Sequence, residues 1–131
     1  MSGTKALLDS NSIIYISKGL IDAEELLADK EENYVSIITY IEVYAYDFAD
    51  FSEKDAIDEI FKNLEIVELD RTIAEQTIEY RKNAVKKIKL PDAAILATAK
   101  VIGADLITNN LSDFENIDDS ITLTGIDTFK V

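Results

Sequence analysis

The stretch KLPDAAILATA, residues 89–99, sets one acid, Asp92, directly after Pro91 and ahead of an almost unbroken run of small and apolar side chains. Pro91 suits the first turn of a helix, where a missing N–H costs nothing, and Gly103 is placed to end that helix. So apolar a run reads as a buried helix over 92–102. An acid in its first turn favours the positive end of the helix dipole. That does not by itself explain a charge at the mouth of a buried element.

Working outward, short runs rich in apolar and β-branched residues read as strands at 5–9 (KALLD), 35–39 (VSIIT), 65–69 (EIVEL) and 105–108 (DLIT), with 121–124 (ITLT) as a short edge strand. Helical patterns lie between them, at 11–18, 22–30, 40–50, 53–63, 71–87 and 92–102. Strands alternating with helices predict βαβ units, hence an α/β fold with a mainly parallel sheet of four or five strands covered on both faces. At 131 residues, with no linker, repeat or shift of composition, residues 1–131 read as one domain.

The chain has no cysteine and no histidine, which excludes disulfides, thiolate or imidazole metal sites and triads built on His or Cys. Any metal must be held by oxygen. No apolar run approaches the roughly 20 residues needed to cross a bilayer, and the start lacks the pattern of a signal peptide, so the expectation is a soluble, cytoplasmic protein. With 26 acids against 13 bases the net charge is -13, which repels nucleic acid at long range and attracts basic partners. The bases are unevenly spread: Arg81, Lys82, Lys86, Lys87 and Lys89 crowd just upstream of Asp92, as a solvated helix face or as a local basic lip.

Ligands of parallel α/β sheets bind outside the carboxyl ends of the strands. Four acids fall there: Asp9 closes the first strand in LLDSN, Glu42 follows the second in TYIEV, Asp92 opens the apolar helix, and Asp113 follows the fourth strand in TNNLSDF. Each has a local alternative. Asp9 can cap a helix, Thr39 and Glu42 have capping-box spacing, Asp92 suits a helix dipole and Asp113 can cap a turn. Taken together, acids recurring after successive strands suggest a shared cleft, where carboxylates repel unless a cation compensates. Oxygen ligands alone suit a hard ion such as Mg2+ or Mn2+, with water and substrate phosphate completing its shell. Such an ion lowers the pKa of bound water and neutralises charge on phosphate, which is the chemistry of phosphodiester hydrolysis.

The motifs LLDSNSIIY (7–15), SIITYIEVYAY (36–46), KLPDAAILATA (89–99) and TNNLSDFENI (108–117) closely resemble, in order and across essentially the whole chain, those of the PIN-domain ribonucleases, and among them the VapC-type toxins of type II toxin–antitoxin modules. The resemblance implies a three-layer α/β/α PIN-like domain and a metal-dependent endoribonuclease that leaves a 5′-phosphate, with Asp9, Glu42 and Asp92 as core ligands or water-orienting groups. Relatives differ in which residue fills the fourth position, so it falls to Asn110 or Asp113. Ser10, Asn11 and Thr108 are candidate donors behind the carboxylates, or ordinary turn and cap residues. The resemblance also implies an RNA substrate, tRNA or rRNA among the possibilities, reached here through the basic 81–89 segment. It further implies a cognate antitoxin lying over the groove, and a homodimer to whose interface the alanine-rich helix is suited. Tyr40, Tyr44 and Phe48 share a helix face, read as core or dimer interface in preference to a base-stacking surface.

Two other phosphoryl-transfer folds also begin with an acid at a strand end. A haloacid-dehalogenase-like phosphatase needs a second Asp two positions after the first, where this chain has Asn11, and a receiver domain needs a Lys after its last strand where this chain has TNN. The alternative of another class is a non-catalytic PIN-fold scaffold that binds protein.

Overall fold

A computed structural model describes residues 4–131. Strand β1 (Lys5–Leu8) sends Ala6 and Leu8 into one hydrophobic core and Leu7 into another, as the period of two along a strand requires. Strand β4 (Asp105–Thr108) divides in the same way, Ile107 joining Leu8 and Leu106 joining Leu7. Continuous burial of both strands is what a parallel sheet covered on two faces demands. With β2 (Glu32–Ser36), β3 (Glu65–Val67) and β5 (Leu123–Gly125) they form a five-stranded sheet in the order β3-β2-β1-β4-β5, every pairing parallel.

The first core is closed by α1 (Ser10–Ser17), α2 (Ala23–Asp29), α3 (Ile37–Tyr44), α4 (Phe51–Phe61) and a last 3₁₀ turn, Ile126–Phe129. The second is closed by α5 (Arg71–Asn83), α6 (Leu90–Ile102) and α7 (Leu111–Phe114). The architecture is therefore the expected three-layer α/β/α sandwich. Among the described residues no helix is long and apolar enough to cross a membrane.

Many of the acids prove to be caps. Asp22, Asp50 and Asp70 each sit in extended backbone and accept a hydrogen bond from the backbone N–H three residues on, opening α2, α4 and α5. Several element boundaries differ from expectation: α3 ends at Tyr44 and not at 50, β3 at Val67 and not at 69, and β5 covers Leu123–Gly125 in place of 121–124. The run VSIIT is not a strand throughout: β2 ends at Ser36, whose hydroxyl accepts from Ile38 N and starts α3. Thr39 therefore lies inside that helix, fully buried, so the capping-box reading of Thr39 and Glu42 does not hold. Helix α5 ends at Asn83 instead of running to 87, because Ile88 is drawn into the second core and the Arg81 guanidinium donates to its carbonyl.

Residues 93–99 of α6 are all buried inside the chain, so the alanine-rich run serves internal packing and not an interface between subunits. The aromatic face of α3 is partly covered: exposed Tyr40 and half-buried Tyr44 pack with Phe61 of α4 at centroid distances of 5.7 and 5.2 Å, and the Tyr44 hydroxyl donates to Asp58.

Helix α6 stops at Gly103, which takes φ 72° in the left-handed region and donates its N–H to Ala99 O. No heavy atom lies within 4 Å of the place a Cβ would occupy there, so only backbone conformation opposes a side chain. We predict that Gly103→Ala lowers the free energy of unfolding by about 1 kcal/mol, read as a lower urea midpoint at unchanged slope.

Candidate active site

In the strand order β3-β2-β1-β4-β5 the chain winds away from β1 in one direction and from β4 in the other. The crevice between their carboxyl ends is the switch point at which such sheets bind ligands. A cleft of about 260 Å³ opens there, and Asp9, Glu42, Asp92, Asn110 and Asp113 all line it. Five residues spread over more than a hundred positions are thus brought to one place, with Pro91, Ile95 and Phe114 as its apolar wall.

Asp9 is the most deeply held, only 4% exposed. Its backbone N–H continues the sheet by donating to Ile107 O, and its carboxylate caps α1 by accepting from Ser12 N at 2.9 Å. The other carboxylate oxygen accepts from the Thr108 hydroxyl, which in turn accepts from Asn110 N at 2.9 Å. Burial pushes the Asp9 carboxyl up, the bonds from Thr108 and Ser12 pull it down, and the charge of Glu42 raises it further, with a net upward shift.

Glu42 projects from α3 into solvent at the rim, steadied by the Ser10 hydroxyl, which donates to Oε1 at 2.6 Å. Asp92 is half-buried in the first turn of α6, as the third residue of that helix. Burial, then the charges of Asp113 and Glu42, and to a lesser degree Asp9, raise its pKa to about 6, with Lys89 working in the opposite sense. Asp113 is exposed on α7, and Asn110, which precedes that helix, is half-buried.

Of the three donors expected behind the carboxylates, Ser10 and Thr108 make such bonds. Asn11 lines the cleft and makes no side-chain hydrogen bond among the described residues. Ser12 was not anticipated. It holds Asp9 through its N–H and ties α1 to β4 through its hydroxyl, which donates to Ile107 O at 3.2 Å. The D-x-x-S spacing of a helix cap in LLDSNS is the signal that would have found it.

The basic segment divides. Arg81 is engaged with the backbone of Ile88, and Lys82 lies at the end of α5, lining neither the acid cleft nor the hollow beside it. Lys86, Lys87 and Lys89 line that neighbouring hollow, which shares Lys89, Asp92 and Asp113 with the cleft.

The donor set fits a hard divalent ion: four carboxylates and one amide oxygen, with no nitrogen or sulfur ligand available. None of the four acids has a Lys or Arg within ion-pair distance among the described residues. Among the described residues, however, no three of these acids stand close enough together to hold a metal ion as they are placed.

Comparison with known proteins agrees with this geometry. No curated protein sequence matches the chain. Among solved structures, a toxin–antitoxin complex from Klebsiella pneumoniae contains a chain 32% identical, the match covering 89% of this chain and 95% of that one at a TM-score of 0.70. VapBC2 from Rickettsia felis, bound to a DNA fragment from its promoter, matches at 21% identity over 92% of this chain and 98% of that one, TM-score 0.78. DNA-bound VapBC from Salmonella typhimurium matches at 22% identity over 96% and 99%, also with a TM-score of 0.78. The family model described as "PIN domain" matches residues 6–120. The chain belongs to the PIN-domain family.

Proposed function

We propose that this chain, read as one PIN domain over 1–131, is a Mg2+- or Mn2+-dependent endoribonuclease and the toxin of a toxin–antitoxin pair. The observation that carries the reading is that four carboxylates line one cleft at the switch point of a parallel sheet, none with a Lys or Arg in ion-pair distance among the described residues. PIN-domain nucleases are metal-dependent ribonucleases, and the structural relatives are complexes of a toxin with its antitoxin. A bound divalent ion supplies an activated water and neutralises charge on the scissile phosphate.

In this reading Asp9, Glu42 and Asp92 hold the ion, with Asp113 or the Asn110 amide oxygen completing the protein's share. Thr108 and Ser12 fix the Asp9 carboxylate so that its unused lone pairs face the cleft. Ser10 restrains the otherwise exposed Glu42. The apolar wall of Pro91, Ile95 and Phe114 keeps one side of the site dry and strengthens the pull of the acids on a cation. RNA, with tRNA or rRNA among its possible forms, is the substrate. A cognate antitoxin covers the same acidic groove, for which a basic segment is the complementary inhibitor. A non-catalytic scaffold gives no reason to hold Asp92 so far above its ordinary range.

Mn2+ binding tests the reading without knowledge of the RNA target. In calorimetry the wild type takes up Mn2+ saturably, and Asp92→Asn weakens that uptake by roughly 10- to 100-fold. Equal uptake by the two proteins overturns the proposed site. With Mn2+ present, the wild type cleaves RNA to fragments bearing a 5′-phosphate, and Asp92→Asn abolishes cleavage.

A second outcome concerns stability in metal-free buffer. The folded-state pKa of Asp92, about 6, is above the carboxylate value of 3.8, so its ionisation opposes folding. The penalty is absent below about pH 4 and complete above about pH 7. Asp92→Asn therefore melts higher than wild type at pH 7.5, and the advantage vanishes near pH 4. Solvent screening at this half-buried position holds the gain to about 1 kcal/mol.

A further inference from the structure

The hollow beside the acid cleft has a volume of about 270 Å³, and three lysines, Lys86, Lys87 and Lys89, contribute to its lining. Asp92 and Asp113 line it as well, so its formal balance is +1, three lysines less two acids, in a chain whose net charge is -13. The three side chains are not equivalent. The Lys86 ammonium is engaged, donating to Ser112 O at 2.5 Å and tying the 84–89 segment to α7. Lys87 and Lys89 are exposed and, among the described residues, take part in no side-chain hydrogen bond or ion pair. Lys30, Lys54, Lys62 and Lys100 are paired with acids, and the other lysines equally free among the described residues, Lys18, Lys82 and Lys130, line neither the hollow nor the cleft. Lys89 also lines the acid cleft, so the hollow and the cleft meet at its side chain.

We infer that Lys87 and Lys89 form a subsite for one RNA backbone phosphate adjacent to the phosphate that is cleaved, with Lys86 as the strut that keeps the subsite beside Asp113. The inference rests on the proposed nuclease reading and sharpens it: the substrate is an oligoribonucleotide with a phosphate flanking the scissile one. A net charge of -13 repels a polyanion at a distance, but within roughly a Debye length of 8–10 Å the nearest charges dominate. Free ammonium groups next to an acid cleft offer a polyanion a foothold at the point where its neighbouring phosphate must enter. A backbone contact carries no sequence information, so its effect is the same for every RNA sequence.

The test is anisotropy of a labelled single-stranded RNA 12-mer of mixed sequence, titrated at several salt concentrations in the Asp92→Asn background to prevent cleavage. Replacing both Lys87 and Lys89 by Ala weakens binding to the same degree for different sequences. It also makes the plot of log affinity against log salt shallower by roughly 0.7, the value for one phosphate contact on a single strand. Neither change endangers the fold, since both side chains are exposed and Lys89 makes no capping bond to α6. Lys54→Ala on α4 with Lys62→Ala at its C-terminal cap removes the same charge from a part of the chain that lines neither cavity, and leaves the slope unaltered. A slope that falls equally in this control shows a net-charge effect and overturns the subsite. So does unchanged RNA binding in the Lys87/Lys89 double variant, which leaves the hollow for an acidic segment of a protein partner. Failure of the Asp92→Asn protein to bind the RNA also overturns the subsite, while the nuclease reading is judged separately by Mn2+ calorimetry.

Discussion

The carboxylate of Asp9 is the joint on which the site is built. It is buried where β1 ends, and it is gripped from two sides, by the Thr108 hydroxyl at the end of β4 and by the Ser12 N–H in the first turn of α1. Ser12 closes the arrangement by donating its hydroxyl to Ile107 O. Two strands and a helix thus meet around one acid, and none can move far without breaking a buried hydrogen bond. A carboxylate has about four acceptor positions, and the protein uses one on each oxygen. Asp9 is therefore fixed in place with acceptor positions to spare, which the proposed metal-binding role would use.

At the opposite end of the sheet a buried acid is treated differently. Asp105, at the start of β4, is buried as well, but Lys30 lies 3.3 Å from it. A buried carboxylate with a cation beside it is a structural device. At the carboxyl ends of the strands burial, then the charges of Asp113 and Glu42, raise the pKa of Asp92, and Lys89 only tempers the rise. The same fold thus neutralises a buried acid at one end of its sheet and leaves several acids uncompensated at the other. Repulsion within the cleft is a strain that the two hydrophobic cores must offset.

The layers and the acids of the site were legible because they rest on signals that tertiary packing reinforces. Runs such as KALL and DLIT have no solvent face to confuse the pattern, and acids just beyond such runs fall on one edge of the sheet by topology alone. Boundaries were harder. VSIIT is β-branched throughout and looks like strand, yet one hydroxyl, that of Ser36, converts its second half to helix. The pattern of α5 runs on through 84–87 in sequence, and only the burial of Ile88 shows why the chain leaves the helix early. Helix α7 and the 3₁₀ turn are single turns, too short to display a period. The bond from the Ser12 hydroxyl to Ile107 O and the differing duties of the three lysines are three-dimensional facts that residue spacing does not express.

The charge that opens α6 now has a physical account. Asp92 stands in the first turn with Pro91 before it, and every residue from 93 to 99 is sealed between the sheet and α5. Small alanines let the helix backbone lie close against its neighbours, so sliding or tilting it opens cavities at several positions at once. A flexible loop carrying the same acid would relieve the repulsion from Asp113 and Glu42 by swinging away. A helix locked along seven consecutive residues cannot. The apolar run that fixes Asp92 also buries it, and burial together with the nearby acids raises the pKa of its carboxyl, a cost that a cation would offset in the proposed reading.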